Sequence, residues 1–158
     1  MKLEGGIEIA AARRRVWDLI VDPIALAACV PGVRDVRQVD DRTFEGSVTA
    51  AVGPMEGDFA FSSVITRDEF PDDLDVEVTG LDSVTKSRLE ARVHASVAEG
   101  ADGTSTLRYQ AVVTVKGRLS ILGEMVLRAT AGLMIAQVTK CLRSRLEDPA
   151  SGTPAPPA

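Results

Sequence analysis

Residues 87–146 read SRLEARVHASVAEGADGTSTLRYQAVVTVKGRLSILGEMVLRATAGLMIAQVTKCLRSRL, and two hydrophobic periods in this stretch decide the fold. In the first half, apolar and polar residues alternate on both sides of a Gly100–Gly103 turn, which predicts two antiparallel strands. After Gly117 the apolar residues recur at helical spacing, and no proline interrupts them. The second half therefore predicts one continuous helix over residues 119–146, on the order of 40 Å long.

The alternation in the two strands assigns each side chain to a face of the sheet. The inward face is predicted to carry Leu89, Ala91, Val93, Ala95, Val97, Leu107, Tyr109, Ala111, Val113 and Val115. The opposite face is mainly charged or polar and includes His94, the single histidine of the chain. A sheet with one apolar face buries that face against another layer, and the long helix is the natural partner.

The helix carries two apolar stripes that lie on roughly opposite sides. The first stripe consists of Leu122, Met125, Val126, Ala129, Leu133 and Ala136. The second stripe consists of Leu127, Ala131, Met134, Val138 and Leu142. The first is predicted to meet the sheet, which leaves the second for the two short helices near the N-terminus, for a partner protein or for water.

The rest of the chain extends this sheet. Residues 2–10 alternate as a strand, and two short helices follow, separated by Asp22-Pro23. Further strands are predicted at Val33–Val39, Thr43–Val52, Met55–Arg67, Leu74–Thr79 and Ser83–Ala98, before the last one at Thr106–Lys116. This order predicts an α+β helix-grip fold over residues 1–147: a curved antiparallel sheet of about seven strands around a C-terminal helix. Residues 148–158, rich in proline and alanine, are expected to form a disordered tail or linker.

The composition excludes several classes of protein. The chain has 158 residues and a net charge of −5, without the basic face that a nucleic-acid-binding protein needs. The N-terminus lacks the apolar run of a signal peptide, so a cytoplasmic location is expected. Cys29 and Cys141 lie far apart and fit neither a disulfide framework nor a zinc site, and Cys29 is expected to be a small buried residue rather than a reactive thiol.

An apolar cavity between helix and sheet is predicted from the size of the inward residues. Many of them are Gly, Ala or Ser, and only 4% of the chain is aromatic, so few large side chains are available to fill the interior. The predicted cavity residues are Phe59, Phe61, Leu89, Ala91, Val93, Tyr109, Val113, Leu122, Met125, Val126, Ala129 and Leu133. The alternative is that small residues simply let helix and sheet pack closely.

The sequence offers no catalytic or metal-binding motif. His94 is predicted to lie on the outer face of its strand and has no second histidine to share a metal. Tyr109 is the best candidate for a polar group that orients a ligand, because an inward phenol can hydrogen-bond a carbonyl oxygen.

Two segments resemble the CoxG family of carbon monoxide dehydrogenase subunits, which belongs to the START-like, Bet v 1-like (SRPBCC) superfamily. One segment runs from Asp22-Pro23 to Cys29-Val30-Pro31-Gly32, and the other is Val52-Gly53-Pro54-Met55 with the residues up to Phe59. Leu122-Gly123 at the start of the last helix is also similar. The resemblance covers about residues 1–146. The family often has a glycine-rich stretch before the sixth strand, where this chain has only Gly80.

The resemblance implies a helix-grip domain with a deep apolar cavity. Its members accompany molybdenum-containing carbon monoxide dehydrogenases or related hydroxylases, recruit them to the membrane and are thought to bind a quinone such as menaquinone. By this resemblance the expected role is a non-catalytic carrier of an isoprenoid quinone or lipid, located in the cytoplasm at the inner face of the cell membrane. No covalent cofactor is expected. Membrane contact is expected only through a C-terminal extension, so residues 1–158 should not float with liposomes.

Two alternatives to a carrier stay open. A START-like cyclase or hydratase would need a pair of inward titratable groups with shifted pKa values. A docking adaptor without a ligand would have a filled core and would use the second helical stripe to bind a molybdenum hydroxylase.

Overall fold

The computed structural model describes residues 1–147, and the predicted tail at 148–158 lies outside the described residues. The elements in chain order are β1 (Lys2–Ile9), α1 (Arg13–Ile20), α2 (Pro23–Ala27), β2 (Val33–Gln38), β3 (Thr43–Val52), β4 (Met55–Glu69), β5 (Asp73–Asp82), β6 (Ser87–Glu99), β7 (Ser105–Lys116), a 3₁₀ turn (Arg118–Leu122) and α3 (Gly123–Glu147). All seven strands form one antiparallel sheet in the order β1-β7-β6-β5-β4-β3-β2. The predicted α+β architecture is therefore confirmed.

The predicted strand register is confirmed on β6 and β7. Leu89 pairs with Val115 and Val93 with Ala111, while Arg88 and Lys116 form an outward pair. The inward positions are buried or half-buried along both strands, and the neighbouring Arg88, Glu90 and Arg92 are exposed. Because side chains alternate strictly between faces, this agreement fixes the faces of the whole sheet.

The predicted helix over residues 119–146 is wrong at its start. Residues 118–122 form a 3₁₀ turn, and the α-helix begins only at Gly123. Gly117 and Gly123 flank this turn with φ angles of 91° and 87°, a left-handed conformation that prevents the turn and α3 from forming one regular helix. The apolar spacing continues across Gly123, so periodicity alone did not reveal the break.

The prediction that β6 begins at Ser83 is also wrong, because a turn occupies residues 83–86. The carboxylate of Asp82 holds this turn: it accepts a hydrogen bond from the Val84 amide at 2.9 Å and one from the Thr85 hydroxyl at 2.6 Å. Lys86 adopts a positive φ of 56° at the end of the turn. An aspartate whose side chain bonds to the residues after it favours a turn over a continuing strand.

The short helices close one end of the sheet. Pro23 stands at the start of α2, and the Asp22 side chain caps this helix by accepting from the amides of Ile24 and Ala25 at 3.1 and 3.2 Å. On α1, Val16 and Trp17 are almost fully buried. They belong to a large apolar cluster with Ile7, Ile9, Ala11, Ile20, Cys29, Ile65, Leu74, Ala95, Val97, Leu107, Leu142 and Leu146, called here the main core.

Cys29 and Cys141 form a disulfide, which corrects the expectation that they do not fit a disulfide framework. Cys29 follows α2 and is buried in the main core, as predicted, whereas Cys141 lies on α3 and packs against the same core. The bond joins residues 112 positions apart. It ties the C-terminal half of α3 to the two short helices.

Candidate functional site

Helix α3 crosses the inward face of the sheet. It approaches β1 and β3 most closely, and four strands lie between these two in the sheet. Arg128 donates to the Lys2 carbonyl at 2.9 Å and Arg143 to the Glu8 carbonyl at 3.0 Å, so the helix is fastened along β1. The inward face of the sheet between β1 and β3, beneath the helix, is the candidate ligand site.

Two separate apolar clusters support α3. The main core holds its C-terminal half through Val138, Cys141, Leu142 and Leu146. A second cluster, called here the small core, is built on the buried residues Val52, Phe59 and Leu119. The partly buried residues that pack against it are Val48, Met55, Leu89, Val115, Leu122, Val126 and Leu127. The helix is thus packed at both ends by different residues.

The centre of the inward face belongs to neither cluster. Phe61, Ala91, Val93 and Val113 face inward there, and each is half-buried rather than buried. In a closely packed interior, inward residues at the centre of a sheet would be the most buried. Their partial exposure indicates an apolar hollow beneath the middle of α3, which is called here the central hollow.

Aromatic rings that lie along the sheet help to keep the central hollow open. Phe61 is paired with Gly46 across the strands, and a Cβ atom on that glycine would come within 3.0 Å of the Phe61 ring. Tyr109 is paired with Gly5 in the same way, and a Cβ there would come within 2.8 Å of the ring carbon that carries the hydroxyl. Each ring therefore lies over the backbone of a glycine. This role of Gly5 and Gly46 was not predicted, although glycine within an alternating strand is a signal for it.

The predicted cavity residues divide into four groups. Phe61, Ala91, Val93 and Val113 line the central hollow, while Phe59, Leu89, Leu122 and Val126 belong to the small core at one end of it. Tyr109 packs against the main core at the other end. Met125, Ala129 and Leu133 are exposed, with exposed fractions of 86% for Met125 and 69% for Leu133. Whether any of the twelve residues contacts a ligand stays a prediction.

Only part of the first stripe meets the sheet as predicted, whereas the second stripe packs at its C-terminal end on the main core, which includes residues of the short helices. The half-buried and buried residues in the middle and C-terminal part of the helix include Leu127, Thr130, Ala131, Met134, Val138 and Leu142. This is essentially the second stripe, and it packs within the chain. The first stripe is packed only near the N-terminus of α3, where Val126 and Leu122 meet Gly53 of the β3–β4 turn. By length and composition alone, residues 118–147 would also suit a membrane span, and little of this apolar helix is buried.

Apart from the buried Ser63, which pairs with Val78 near the centre, the polar groups described next lie at the ends of the inward face. Beside the main core, Ser105 donates to the Ala11 carbonyl at 2.6 Å, and Asp68 accepts from the Trp17 indole nitrogen at 3.1 Å. At the small-core end, the Asp82 carboxylate is held by Thr85, whose hydroxyl also lies 2.8 Å from that of Ser87. The hydrogen bond from the Thr85 hydroxyl, followed by those from backbone amides, lowers the pKa of Asp82 below its ordinary value of 3.8.

Replacing Asp82 by Asn is expected to lower the free energy of unfolding at pH 7 by about 1–2 kcal/mol, because the amide cannot accept both hydrogen bonds. The lowered pKa means that the ionised carboxylate stabilises the fold above the pKa of the unfolded chain, near 4. This stabilisation disappears as pH falls through the folded pKa, so the two proteins should converge in acid. Urea unfolding from pH 7 to pH 3 measures the difference. The exposed turn residue Asp41, changed to Asn, is the control and should behave like the parent protein; a constant difference at all pH values would contradict the role of the charge.

Two depressions occur on the outer face of the sheet. One is lined by Asp75, Glu77, Arg92, His94 and Gln110 together with Thr66, Val76, Val93 and Val112. His94 is half-buried there, and its Nδ1 lies 2.6 Å from an Asp75 carboxylate oxygen. The predicted outward position of His94 is confirmed. The other depression, around Ser47, Ser62 and Thr79, is bordered by Arg37, Glu45 and Arg88. Both depressions have mixed polar and apolar linings, and their outward-facing residues place them on the opposite side of the sheet from the central hollow.

Solved structures with the same fold come from bacteria and plants. A conserved protein from Geobacillus kaustophilus has a TM-score of 0.86 at 18% identity, over 93% of this chain and 95% of that one. A START superfamily protein from Mycobacterium smegmatis has a TM-score of 0.62 at 15% identity, covering 92% and 97%. Truncated norcoclaurine synthase from Thalictrum flavum has a TM-score of 0.60 at 13% identity, covering 91% of each chain. At these identities the likeness shows the START-like, Bet v 1-like fold.

No curated protein matches the chain. A family model does match it, over residues 5–147, which is nearly all of the described structure. The matched span contains the whole sheet apart from the first residues of β1, both short helices and all of α3. The chain therefore belongs to the CoxG family of carbon monoxide dehydrogenase subunits.

Proposed function

We propose that this domain carries an isoprenoid quinone such as menaquinone, or a similar lipid, in the central hollow. In this proposal it is an accessory subunit that links a molybdenum-containing carbon monoxide dehydrogenase, or a related hydroxylase, to the membrane respiratory chain. The family is named for a subunit of carbon monoxide dehydrogenase, which supports the accessory role. The partner, the ligand and a location at the cytoplasmic side of the cell membrane are parts of the proposal.

The observation that carries the proposal is the unfilled centre beneath α3. The helix is packed at its two ends by separate clusters, while the apolar residues between them stay half-buried. Exposed apolar surface is unfavourable at about 25 cal/mol for each Å². A long apolar ligand lying along the hollow would cover this surface, and a branched isoprenoid chain has the matching chemistry.

The chemistry of the inward face favours a carrier over an enzyme. A cyclase or hydratase needs titratable groups that can exchange a proton with the substrate. Asp82 is engaged in holding its turn, and Asp68 is bonded to Trp17 at the opposite end. Tyr109 lies over Gly5 at the main-core end. Norcoclaurine synthase shares the fold, yet the described inward residues provide no acid and base beside the hollow.

The test is extraction of the ligand from the purified protein. Protein produced in a host that makes menaquinone should release a quinone or lipid into organic solvent in a nearly stoichiometric amount, identified by mass spectrometry. Protein stripped of lipid should take up added menaquinone, measured by the change in quinone absorbance after gel filtration. A protein that carries nothing and takes up neither quinone nor phospholipid would contradict the carrier and favour the adaptor.

The disulfide makes the location testable as well. Disulfides persist in oxidising compartments and are rare in a reducing cytosol. If the domain works on the cytoplasmic side, alkylation of intact cells followed by mass spectrometry should find Cys29 and Cys141 as thiols. A disulfide recovered from cells quenched in acid would instead place the domain outside the cytoplasm.

A further inference from the structure

Three large apolar side chains project from one end of the domain. Val84 is 75% exposed, Ile121 is 81% exposed and Met125 is 86% exposed, and these are the three highest values among the exposed large hydrophobic residues described. They lie on three different elements: the β5–β6 turn, the 3₁₀ turn and the first turn of α3. Large apolar side chains grouped on a surface commonly mark an interaction site.

The three elements are joined to one another: the 3₁₀ turn contacts the β5–β6 turn and continues directly into α3. The Leu119 amide of the 3₁₀ turn donates to the Ser87 hydroxyl at 3.0 Å, at the end of the β5–β6 turn. Gly117 lies so close to the Lys86 carbonyl that no side chain would fit between them. Ile121 and Met125 are four residues apart across the junction of the 3₁₀ turn and α3. We call the surface formed by Val84, Ile121 and Met125 the apolar tip.

The side chains of the apolar tip are exposed although the elements that carry them are well packed. Leu119 of the same 3₁₀ turn is only 2% exposed and belongs to the small core, so the turn has a buried side and an apolar outer side. The β5–β6 turn is fixed by the Asp82 hydrogen bonds to Val84 and Thr85. These elements hold the exposed side chains in place rather than leaving them to collapse inward.

The charge around the apolar tip is opposite to that of the chain. The protein has a net charge of −5, yet Lys86, Lys116 and Arg118 flank the tip and all three are exposed. Within residues 1–147 none of these three takes part in an ion pair. The neighbouring acid Glu124 faces Arg128 at 3.8 Å. Unpaired cations around exposed apolar side chains are complementary to a bilayer whose headgroups are negative.

We propose that the apolar tip inserts into the surface of an anionic bilayer. Val84, Ile121 and Met125 enter the boundary between headgroups and acyl chains, while Lys86, Lys116 and Arg118 contact the phosphates. The small core beside the tip adjoins the central hollow, so docking brings one end of the hollow to the lipid. This inference rests on the proposed function, which places the domain at a membrane. It adds the surface of the domain that contacts the lipid. It differs from the expectation, made from the sequence, that only a C-terminal extension contacts lipid.

Flotation of residues 1–158 with liposomes tests the inference. The protein should float with vesicles of phosphatidylglycerol and phosphatidylcholine in equal parts, and remain at the bottom with phosphatidylcholine alone. Changing Val84, Ile121 and Met125 together to Asp should reduce the bound fraction at least about tenfold, because charged side chains are excluded from the acyl region. Changing Lys86, Lys116 and Arg118 to Gln should also weaken binding and reduce its sensitivity to salt.

The matched control places the same substitution on other exposed apolar residues. Ile24, Val39 and Val112 are 53%, 55% and 54% exposed and lie on α2, after β2 and on the outer face of β7, so their change to Asp should leave flotation unchanged. Circular dichroism and quinone uptake are measured on every variant. If the parent protein takes up quinone but does not float with anionic vesicles, the docking inference fails and the carrier proposal stands. The inference would also be overturned if the variant with Asp at the tip still floated with anionic vesicles. A dimer of the parent protein that these Asp changes dissociate in ultracentrifugation would overturn it as well.

Discussion

Breaking the Cys29–Cys141 disulfide is expected to lower the free energy of unfolding by about 3–5 kcal/mol. The bond closes a loop between residues 112 positions apart, and a cross-link over such a span removes much of the entropy of the unfolded chain. Folded domains of this size have a total stability of about 5–15 kcal/mol, so the loss is a large part of it. Urea unfolding of the oxidised and reduced protein measures the difference.

The double variant Cys29→Ala, Cys141→Ala serves as the control for that experiment. Its stability should match that of the reduced parent protein, and a reducing agent should not change it further. The loss of stability should appear first in α3. Without the disulfide, the C-terminal half of this helix is held by contacts that include Leu142, Leu146 and the hydrogen bond from Arg143 to β1. Hydrogen exchange should show earlier opening of residues 134–147 than of β6 and β7. Equal unfolding midpoints before and after reduction would contradict the role assigned to the disulfide.

Replacing Ala91 by Phe is expected to weaken quinone or lipid binding by more than about tenfold, equivalent to about 1.4 kcal/mol. Ala91 lies at the centre of the inward face and pairs with Val78 and Val113 on the neighbouring strands. A phenyl ring at this position would occupy the central hollow without disturbing either packed cluster. The domain should therefore remain folded while its ligand is excluded, as judged by circular dichroism and by quinone uptake.

The same substitution on the other face is the matched control. Ala60 is exposed on the outer face of β4, so Ala60→Phe adds the same ring to the sheet without entering the hollow. Its quinone uptake should equal that of the parent protein. If Ala91→Phe binds as tightly as Ala60→Phe, the ligand does not lie beneath α3. If Ala91→Phe unfolds, the smaller substitution Ala91→Leu replaces it. This variant should stay folded and show a partial loss of quinone uptake.

The strand faces could be predicted from the sequence because their physical cause is local. Adjacent side chains in a strand point to opposite sides, so the alternation from Leu89 to Val97 and from Leu107 to Val115 assigned the inward face before any contact was known. The same argument placed His94 outward. The order of strands and helices, with short turns between them, then led to one antiparallel sheet and one crossing helix.

Only the tertiary structure decided how α3 meets the sheet. Its two apolar stripes are alike in character, so the spacing of residues could not show that Val138 and Leu142 are packed while Leu133 is exposed. The positive φ angles of Gly117 and Gly123 shorten the helix, and Gly117 lies where the chain passes close to Lys86. The disulfide depends on the same packing, because residues 112 positions apart meet only when α3 reaches the segment that follows α2. Alternation within a strand is a property of the local chain, whereas the contacts of a helix depend on surfaces that the folded chain brings together.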